Sequence, residues 1–333
     1  MQRTHNLFDK RVFKTVAENF EELALEIFRF QVQNNSVYKE FIELLGVDVS
    51  QVKRLESIPF LPIELFKTHK VLSTKDPVER VFESSGTTSE NKSRHLVTDQ
   101  KVYEESFRKS FERFYGPIKS YCILGLLPAY LEQRNSSLVY MIEKMIRWST
   151  HELSGFYLKD FSRLKSTLEL LQKSRQKTIF FGVSFALLDF AEKSKMKLSD
   201  ETIVMETGGM KGRREELTRF DLHERLKSLF KVQSIHSEYG MTELLSQAYS
   251  LGNGRFHCPA WMKVSTRDVY DPKNLLQEGQ TGALNIIDLA NFNSCSFIAT
   301  SDLGTMHKNG EFEVLGRIDN SEIRGCSLMV SML

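Results

Sequence analysis

The sequence predicts an α/β protein, and three observations carry that expectation. Tyr121–Leu127, Thr178–Val183 and Thr202–Glu206 are apolar on consecutive positions, as strands covered on both faces are. Phe161–Lys173 and Arg213–Phe230 repeat apolar residues at helical spacing among those strands, which suits the crossovers of a parallel sheet. Past Gly240 the texture changes to shorter strands, Ala283–Leu289, Ser296–Thr300 and Glu311–Leu315, separated by Gly, Asn and Asp turns. That region reads as a smaller antiparallel or barrel-like subdomain. At the other end, Phe8–Leu45 places Phe13, Val16, Phe20, Leu23, Ile27 and Phe30 at helical spacing with charges between them. Two amphipathic helices are expected there, forming an outer lid on the core. Ile58-Pro-Phe-Leu-Pro62 breaks the pattern, because proline lacks an N–H and pushes its predecessor toward extended backbone. A new structural unit is expected from about this point, leaving residues 1–60 as an N-terminal helical segment packed on the main body.

Composition narrows the class. The 333 residues are 41% hydrophobic, enough for a large core and too apolar for a disordered tail. Lys and Arg number 45 against 43 Asp and Glu, and a formal charge of +2 offers no excess for a phosphate backbone, so nucleic acid is not expected as a partner. The four cysteines, Cys122, Cys258, Cys295 and Cys326, form no CxxC pair, which argues against a disulfide framework or a zinc cluster and for a reducing cytoplasm. Met1–Lys14 lacks the apolar core of a signal peptide, and no stretch reaches the ~18 apolar residues of a spanning helix. The chain is therefore not expected to be an integral membrane protein.

Chemistry concentrates in a few short segments. Phe82-Glu-Ser-Ser-Gly-Thr-Thr-Ser-Glu-Asn-Lys92 surrounds one glycine with small hydroxyl side chains and ends on a lysine. Such a turn can offer N–H groups and hydroxyls to phosphate oxygens with a cation nearby, although it departs from the Walker spacing and also suits an ordinary Ser/Thr-rich surface loop. Glu206-Thr-Gly-Gly-Met210 follows a predicted strand; its glycines allow close approach of a flat base or simply a tight strand-to-helix turn. Tyr239-Gly-Met-Thr-Glu243 combines an aromatic face that can stack on a base, a hydroxyl for phosphate and a carboxylate for Mg²⁺.

These segments, in this order, resemble the adenylate-forming superfamily of acyl-CoA synthetases. Ser84-Ser-Gly-Thr-Thr-Ser89 is similar to its phosphate loop, S/T-S-G-T-T-G-x-P-K, with Ser89 in place of glycine and Asn91 in place of proline before Lys92. The resemblance implies nucleotide contacts from Ser84, Ser85, Gly86, Thr87 and Thr88, and a catalytic cation in Lys92. It lays Gly208 and Gly209 against adenine, and Tyr239, Gly240 and Thr242 form the Y-G-x-T-E motif in which Glu243 holds Mg²⁺. Gly279-Gln-Thr-Gly282 is similar to the structural G-E-T-G-E-L segment. Thr300-Ser-Asp302 is similar to T-G-D, whose aspartate binds the ribose hydroxyls. Leu315-Gly-Arg-Ile-Asp319 opens a hinge motif in which Arg317 approaches ribose or phosphate and Asp319 marks the hinge.

Within that superfamily, Leu126-Leu-Pro-Ala-Tyr-Leu-Glu-Gln-Arg-Asn-Ser-Ser-Leu138 and Glu322-Ile-Arg-Gly-Cys-Ser-Leu-Met329 resemble the acyl-protein synthetase family, the fatty-acid-activating component of bacterial bioluminescence. The fold then expected is the large N-terminal domain of an adenylate-forming enzyme, two related sheets with helices plus a small β subdomain. Its catalytic body would span 61–316, with 317–333 as a hinge and C-terminal stub, the family's mobile C-terminal domain and its lysine being truncated. Cys326 matches the family's acyl-carrying cysteine by position, and Arg324 beside it favours a thiolate. A free cysteine is also commonly a small buried hydrophobe, the reading given to Cys122, Cys258 and Cys295.

Other residues admit two readings. His236, just ahead of Tyr239, either faces the attacking carboxyl group or is a hydrogen-bonded core histidine. Glu238 either shares the metal with Glu243 or does not. Phe180, Phe181, Phe185, Leu187, Leu188 and Phe190 suit an acyl tunnel or plain core packing. Lys193–Lys197 reads as a solvated helix end. The function expected is ATP-dependent activation of a carboxylic, fatty acid to an acyl-adenylate, followed by transfer to a thiol, with ATP and Mg²⁺ required. The acceptor stays open between Cys326, coenzyme A and a partner protein. The alternatives are an acyl- or aryl-CoA ligase and a noncatalytic nucleotide-binding module.

Overall fold

The computed structural model describes residues 8–85, 92–128, 135–158, 160–208 and 217–318. In chain order they form α1 (Asp9–Val12), α2 (Ala17–Asn34), α3 (Ser36–Leu44), β1 (Leu61–Pro62), α4 (Leu65–Thr68), β2 (Arg80–Glu83), β3 (Arg94–Val97) and α5 (Gln100–Tyr115). Next come β4 (Cys122–Leu126), α6 (Ser137–Ser149), β5 (Gly155–Phe156), α7 (Phe161–Lys173), β6 (Thr178–Val183), α8 (Ser184–Ser194), β7 (Thr202–Thr207) and α9 (Arg219–Phe230). The remaining elements are strands: β8 (His236–Tyr239), β9 (Ala248–Ser250), β10 (Phe256–His257), β11 (Met262–Arg267), β12 (Thr281–Asp288), β13 (Phe297–Met306) and β14 (Phe312–Arg317). The chain divides into two compact units: unit one is the part up to Lys109, Gly240–Ser246 and the part from Cys258, and unit two is Ser110–Tyr239 with Gln247–His257.

Unit one is built on the antiparallel run β11-β12-β13-β14. Strand β1 pairs in parallel with the start of β13, Leu61 opposite Ile298, along the edge whose later half takes β14, Asp302 opposite Arg317. Helix α2 buries Phe20, Leu23, Ala24, Ile27, Phe28, Gln31 and Val32, a stripe at the helical period. Its first turn is closed by the Asn19 side chain, which accepts from the Val16 N–H at 2.9 Å. Asn35 ends it in extended backbone and caps α3 by accepting from the Tyr38 N–H at 3.1 Å. The expected pair of N-terminal helices is thus present, preceded by the single turn α1. Phe28 and Tyr38 pack on Phe297 of β13 with ring centroids 6.1 and 6.2 Å away. The buried Gln31 amide donates to Phe292 O at 2.9 Å and Asn291 O at 3.2 Å, and accepts from the Ser296 N–H at 3.0 Å. A polar group in that position is retained because all its partners are met.

Unit two carries the parallel strands in the order β8-β7-β6-β4-β5, with β9 antiparallel to β8 and β10 antiparallel to β9. β4 and β6 are buried at every position, which is why they read as continuous apolar runs. Phe180, Phe181, Phe185, Leu187, Leu188 and Phe190 are all buried, and Phe180, Phe190 and Phe230 pack ring against ring at 5.6 to 6.2 Å. Among the described residues no helix is long and apolar enough to cross a membrane.

Candidate nucleotide and acid-activation site

In unit one the hydroxyl-rich loop hangs from the hairpin of β2 and β3, Glu83 opposite Arg94. Its base is closed twice: the Ser84 N–H donates to Ser93 O at 3.1 Å, and the Ser93 N–H to Ser84 Oγ at 3.0 Å. Ser84 and Lys92 are half-buried and Ser85 is exposed. Gly86, Thr87 and Thr88 of the loop lie outside the described residues, as do Gly209, Asp319 and Cys326.

The Ser93 side chain lies close enough to the Glu243 carboxylate to stabilise its charge, so the loop base and the acidic residue of Y-G-x-T-E are neighbours although 150 positions separate them. Burial pushes Glu243 above the usual carboxylate range; the nearby Ser93 side chain and the charge of Arg317 oppose that, and Asp302 adds to it. Asp302 is mostly buried, and Arg317, on the exposed end of β14, donates from Nε to its Oδ1 at 3.1 Å. Thr242 is half-exposed and Gly240 exposed. Ser84, Lys92, Thr242, Glu243, Asp302 and Arg317 therefore all belong to one compact unit.

The turn holding Glu243 is fixed by residues that motif reading passed over. Asn291, at the end of a 3-10 turn, donates from Nδ2 to Glu243 O at 2.8 Å and Cys295 O at 2.9 Å. His95 of β3 sets Nδ1 2.8 Å from Thr242 O and Nε2 2.9 Å from Asn291 Oδ1. Both neighbours are acceptors and the Asn291 amide is oriented by its own two bonds, so a neutral ring can satisfy only one of them. Burial nonetheless pulls His95 down to about 4, against the two contacts that raise it. Asp288, at the end of β12, accepts from the N–H groups of Leu245 (2.8 Å), Ser246 (3.0 Å) and Ala290 (3.1 Å) and from the Ser246 hydroxyl (2.5 Å). Burial still holds its carboxyl up at about 6. Single polar residues in a strand or a turn carry no spacing signal, and only the fold brings them to this turn.

Unit two places Gly208 and Tyr239 at the carboxyl ends of β7 and β8, the edge of a parallel sheet where ligands bind, whereas His236 opens β8. Gly208 has φ +67, a backbone state that favours glycine, so the turn after β7 explains at least that glycine. Glu206 is buried; Arg219 donates from Nε to it at 3.2 Å and His223 lies 3.5 Å away. Burial pushes Glu206 up, but His223, Arg219 and Ser237 outweigh it and hold the carboxyl below its usual range. Arg219 also lies over the Phe256 ring at 4.9 Å, and Phe256 meets the mostly buried Tyr239 ring at 5.7 Å. Glu238 accepts from the Thr207 hydroxyl at 2.5 Å, paired in register with it across β7 and β8. Burial, reinforced by Glu206, raises Glu238 to about 7. His236 sets Nδ1 3.1 Å from Tyr115 Oη, and burial lowers it to about 4, so it is neutral at physiological pH.

Cys122, Cys258 and Cys295 are free thiols, and burial raises them to about 11, 12 and 12. Such thiols stay protonated near neutrality and are poor nucleophiles.

Among solved structures the chain is similar to ATP-bound MatB from Rhodopseudomonas palustris, at 14% identity and TM-score 0.52 over 73% of this chain and 49% of that one. It is similar to 2-hydroxyisobutyryl-CoA ligase in complex with 2-HIB-AMP, at 13% identity and TM-score 0.62 over 95% of this chain and 72% of that one. A third similarity is to o-succinylbenzoate CoA synthetase (MenE) from Bacillus subtilis, at 16% identity and TM-score 0.51, covering 74% and 51%. The chain thus spans about half the length of MatB and MenE and shares the adenylate-forming fold. No curated protein matches it significantly. The family described as acyl-protein synthetase, LuxE, matches residues 7–332, and with that span covered the chain belongs to this family.

Proposed function

We propose that the protein activates a carboxylic acid, a fatty acid, with ATP and passes the acyl group to a thiol. The observation that carries the reading is the Ser93 contact to Glu243, which sets the base of a hydroxyl-rich loop beside a buried carboxylate, with Asp302 and Arg317 in the same unit. The loop from Ser84 to Lys92 offers hydroxyl and N–H donors to the phosphates, and Lys92 their counter-charge. Asp302 accepts from the ribose hydroxyls and Arg317 adds charge beside it. Motif resemblance assigns the adenine to Gly208, Gly209 and Tyr239.

The oxygen donors at this site, Glu243 with Asp302 close enough to repel it, suit Mg²⁺ chemically. Mg²⁺ takes one or two carboxylates from a protein and keeps phosphates and waters as its other ligands. Bound there, Mg²⁺ would neutralise charge on the triphosphate.

In the first step a carboxylate oxygen attacks the α-phosphorus, the bond to the β-phosphate oxygen breaks, and pyrophosphate leaves. His236, neutral, is assigned to orienting the attacking group. In the second step a thiolate, its proton lost to solvent, attacks the acyl carbon and AMP leaves with the bonding pair. We assign the thiol to Cys326, in a reducing cytoplasm where the free cysteines stay reduced. The test is carboxylate-dependent ATP–pyrophosphate exchange across acids of increasing chain length. Exchange is expected, along with a hydroxylamine-sensitive acyl label on Cys326. No exchange with any acid would leave a nucleotide-binding module. Full-rate acyl-CoA formation by Cys326→Ala would leave a CoA ligase.

A further inference from the structure

Thr242–Ser246 is a turn outside any strand, with the Leu244 N–H donating to Met241 O at 3.2 Å, so no sheet ladder fixes where Glu243 points. Four of its peptide groups are nevertheless gripped from afar. Thr242 O is met by His95 and Glu243 O by Asn291, while the Leu245 and Ser246 N–H groups are met by Asp288. The three holders are themselves joined. His95 contacts Asn291, the Asp288 carboxylate takes the Ala290 N–H beside Asn291, and the Ser246 hydroxyl that donates to Asp288 accepts from Trp261 Nε1 at 2.9 Å. Each holder is buried, so these bonds do not compete with water and support one another. The grip leaves out the Glu243 side chain, whose buried carboxylate lies beside Ser93. The turn is held by its main chain, and its acidic group takes no part in the grip.

We propose that Asp288, Asn291 and His95 are positioning residues for Glu243, clamping the Thr242–Ser246 main chain so that the carboxylate is presented to the divalent cation of the nucleotide in one place. This rests on the reading of Glu243 as the Mg²⁺ ligand. Losing one of these bonds should let the carboxylate sample other positions. It should therefore weaken cation and MgATP binding while leaving the acid substrate untouched.

The experiment measures Mg²⁺ dependence of exchange in the full chain for Asn291→Ala, His95→Ala, His95→Gln and Asp288→Asn, with amide hydrogen exchange at Leu245 and Ser246 read in parallel. Asn291→Ala and His95→Ala are expected to raise the half-saturating Mg²⁺ concentration and KM for MgATP ~3- to 10-fold, the equivalent of one hydrogen bond. KM for the acid should stay within about twofold, because no clamp bond touches it. His95→Gln, which keeps an N–H donor, should recover part of the loss. Asp288→Asn should speed exchange of the Leu245 and Ser246 amides. A merely structural role would lower kcat and thermal stability together without moving the Mg²⁺ dependence. Unchanged Mg²⁺ half-saturation in folded Asn291→Ala and His95→Gln, with unchanged amide exchange, overturns the proposal and leaves the acid-activation reading standing. If the wild type itself shows no Mg²⁺-dependent exchange, that reading fails, and the amides alone decide whether the turn is clamped. Should Asp288→Asn not fold, the Leu245 and Ser246 amides are read in Asn291→Ala instead.

Discussion

The two units hold their candidate residues by different physics. In unit one the turn around Glu243 is gripped through its main chain, by side chains up to 147 positions away. In unit two Glu206, Arg219, His223, Thr207 and Glu238 grip one another, side chain to side chain, at the ends of two adjacent strands. A main chain held by hydrogen bonds responds to geometry and little to salt. A cluster of ionisable groups responds to pH, because every protonation state changes the balance. Unit one is therefore expected to owe its rigidity to main-chain geometry, although its holders Asp288 and His95 are themselves shifted to about 6 and about 4, and unit two to owe its order to charge pairing.

The largest effect that can break this contrast is expected at Glu243. Glu243→Gln removes the charge and keeps the shape, and exchange activity should fall by ~100-fold or more, a loss typical of a group that stabilises developing charge. Retained activity would mean that the clamp of unit one serves only folding. Next in size is Gln31→Ala. It strips buried partners from the main chain at 291, 292 and 296, and denaturant unfolding should show a loss of about 1–3 kcal/mol with little dependence on pH.

Unit two should show the opposite behaviour through Glu238. Its carboxyl is raised in the fold to about 7, so between about 4.5 and 7 the unfolded chain has released a proton that the native state keeps. Its contribution is thus full below that window and lost as pH rises through it, with a slope of at most ~1.4 kcal/mol per pH unit. Glu238→Gln should remove the slope and leave the variant more stable than wild type, relative to low pH, at pH 8. His236, lowered to about 4, runs the other way: its contribution is present above about 6.5 and lost as pH falls toward 4. The smallest effect is expected for Tyr115→Phe, which removes the contact to His236 Nδ1 and should cost ~0.5–1.5 kcal/mol near neutral pH. A flat stability profile for the wild type and Glu238→Gln alike would erase the contrast between the units.

Much of the fold was legible because buried parallel strands are hard to mistake. The expected strand Thr178–Val183 and helix Phe161–Lys173 are observed with those bounds. Strand β13 runs on to Met306, well past the expected Thr300, because Asp302 and Thr305 are polar yet pair with β14. Neither the hairpin β2 and β3 nor α5 announced itself: strands of four residues are too short for a period to show, and α5 is rich in charged side chains. At the site, Glu243, Asp302 and Arg317 could be named from short motifs whose residues are sequence neighbours. His95, Asp288 and Asn291 could not, since each is a lone polar residue whose role arises only where remote segments meet. Glu206 sat inside a recognised motif, but its partners Arg219 and His223 come from a helix further on.

The Gln31 bridge also sets an order of events. Its amide closes contacts spanning 260 and 261 residues, so helix α2 cannot finish its packing until residues 291 and 292 have been made. Contacts of such long range are slow to form. Maturation of unit one should end with this late closure, and the nascent N-terminal helices, with Phe20 and Phe28 not yet covered, are the stretch most in need of chaperone protection while they wait.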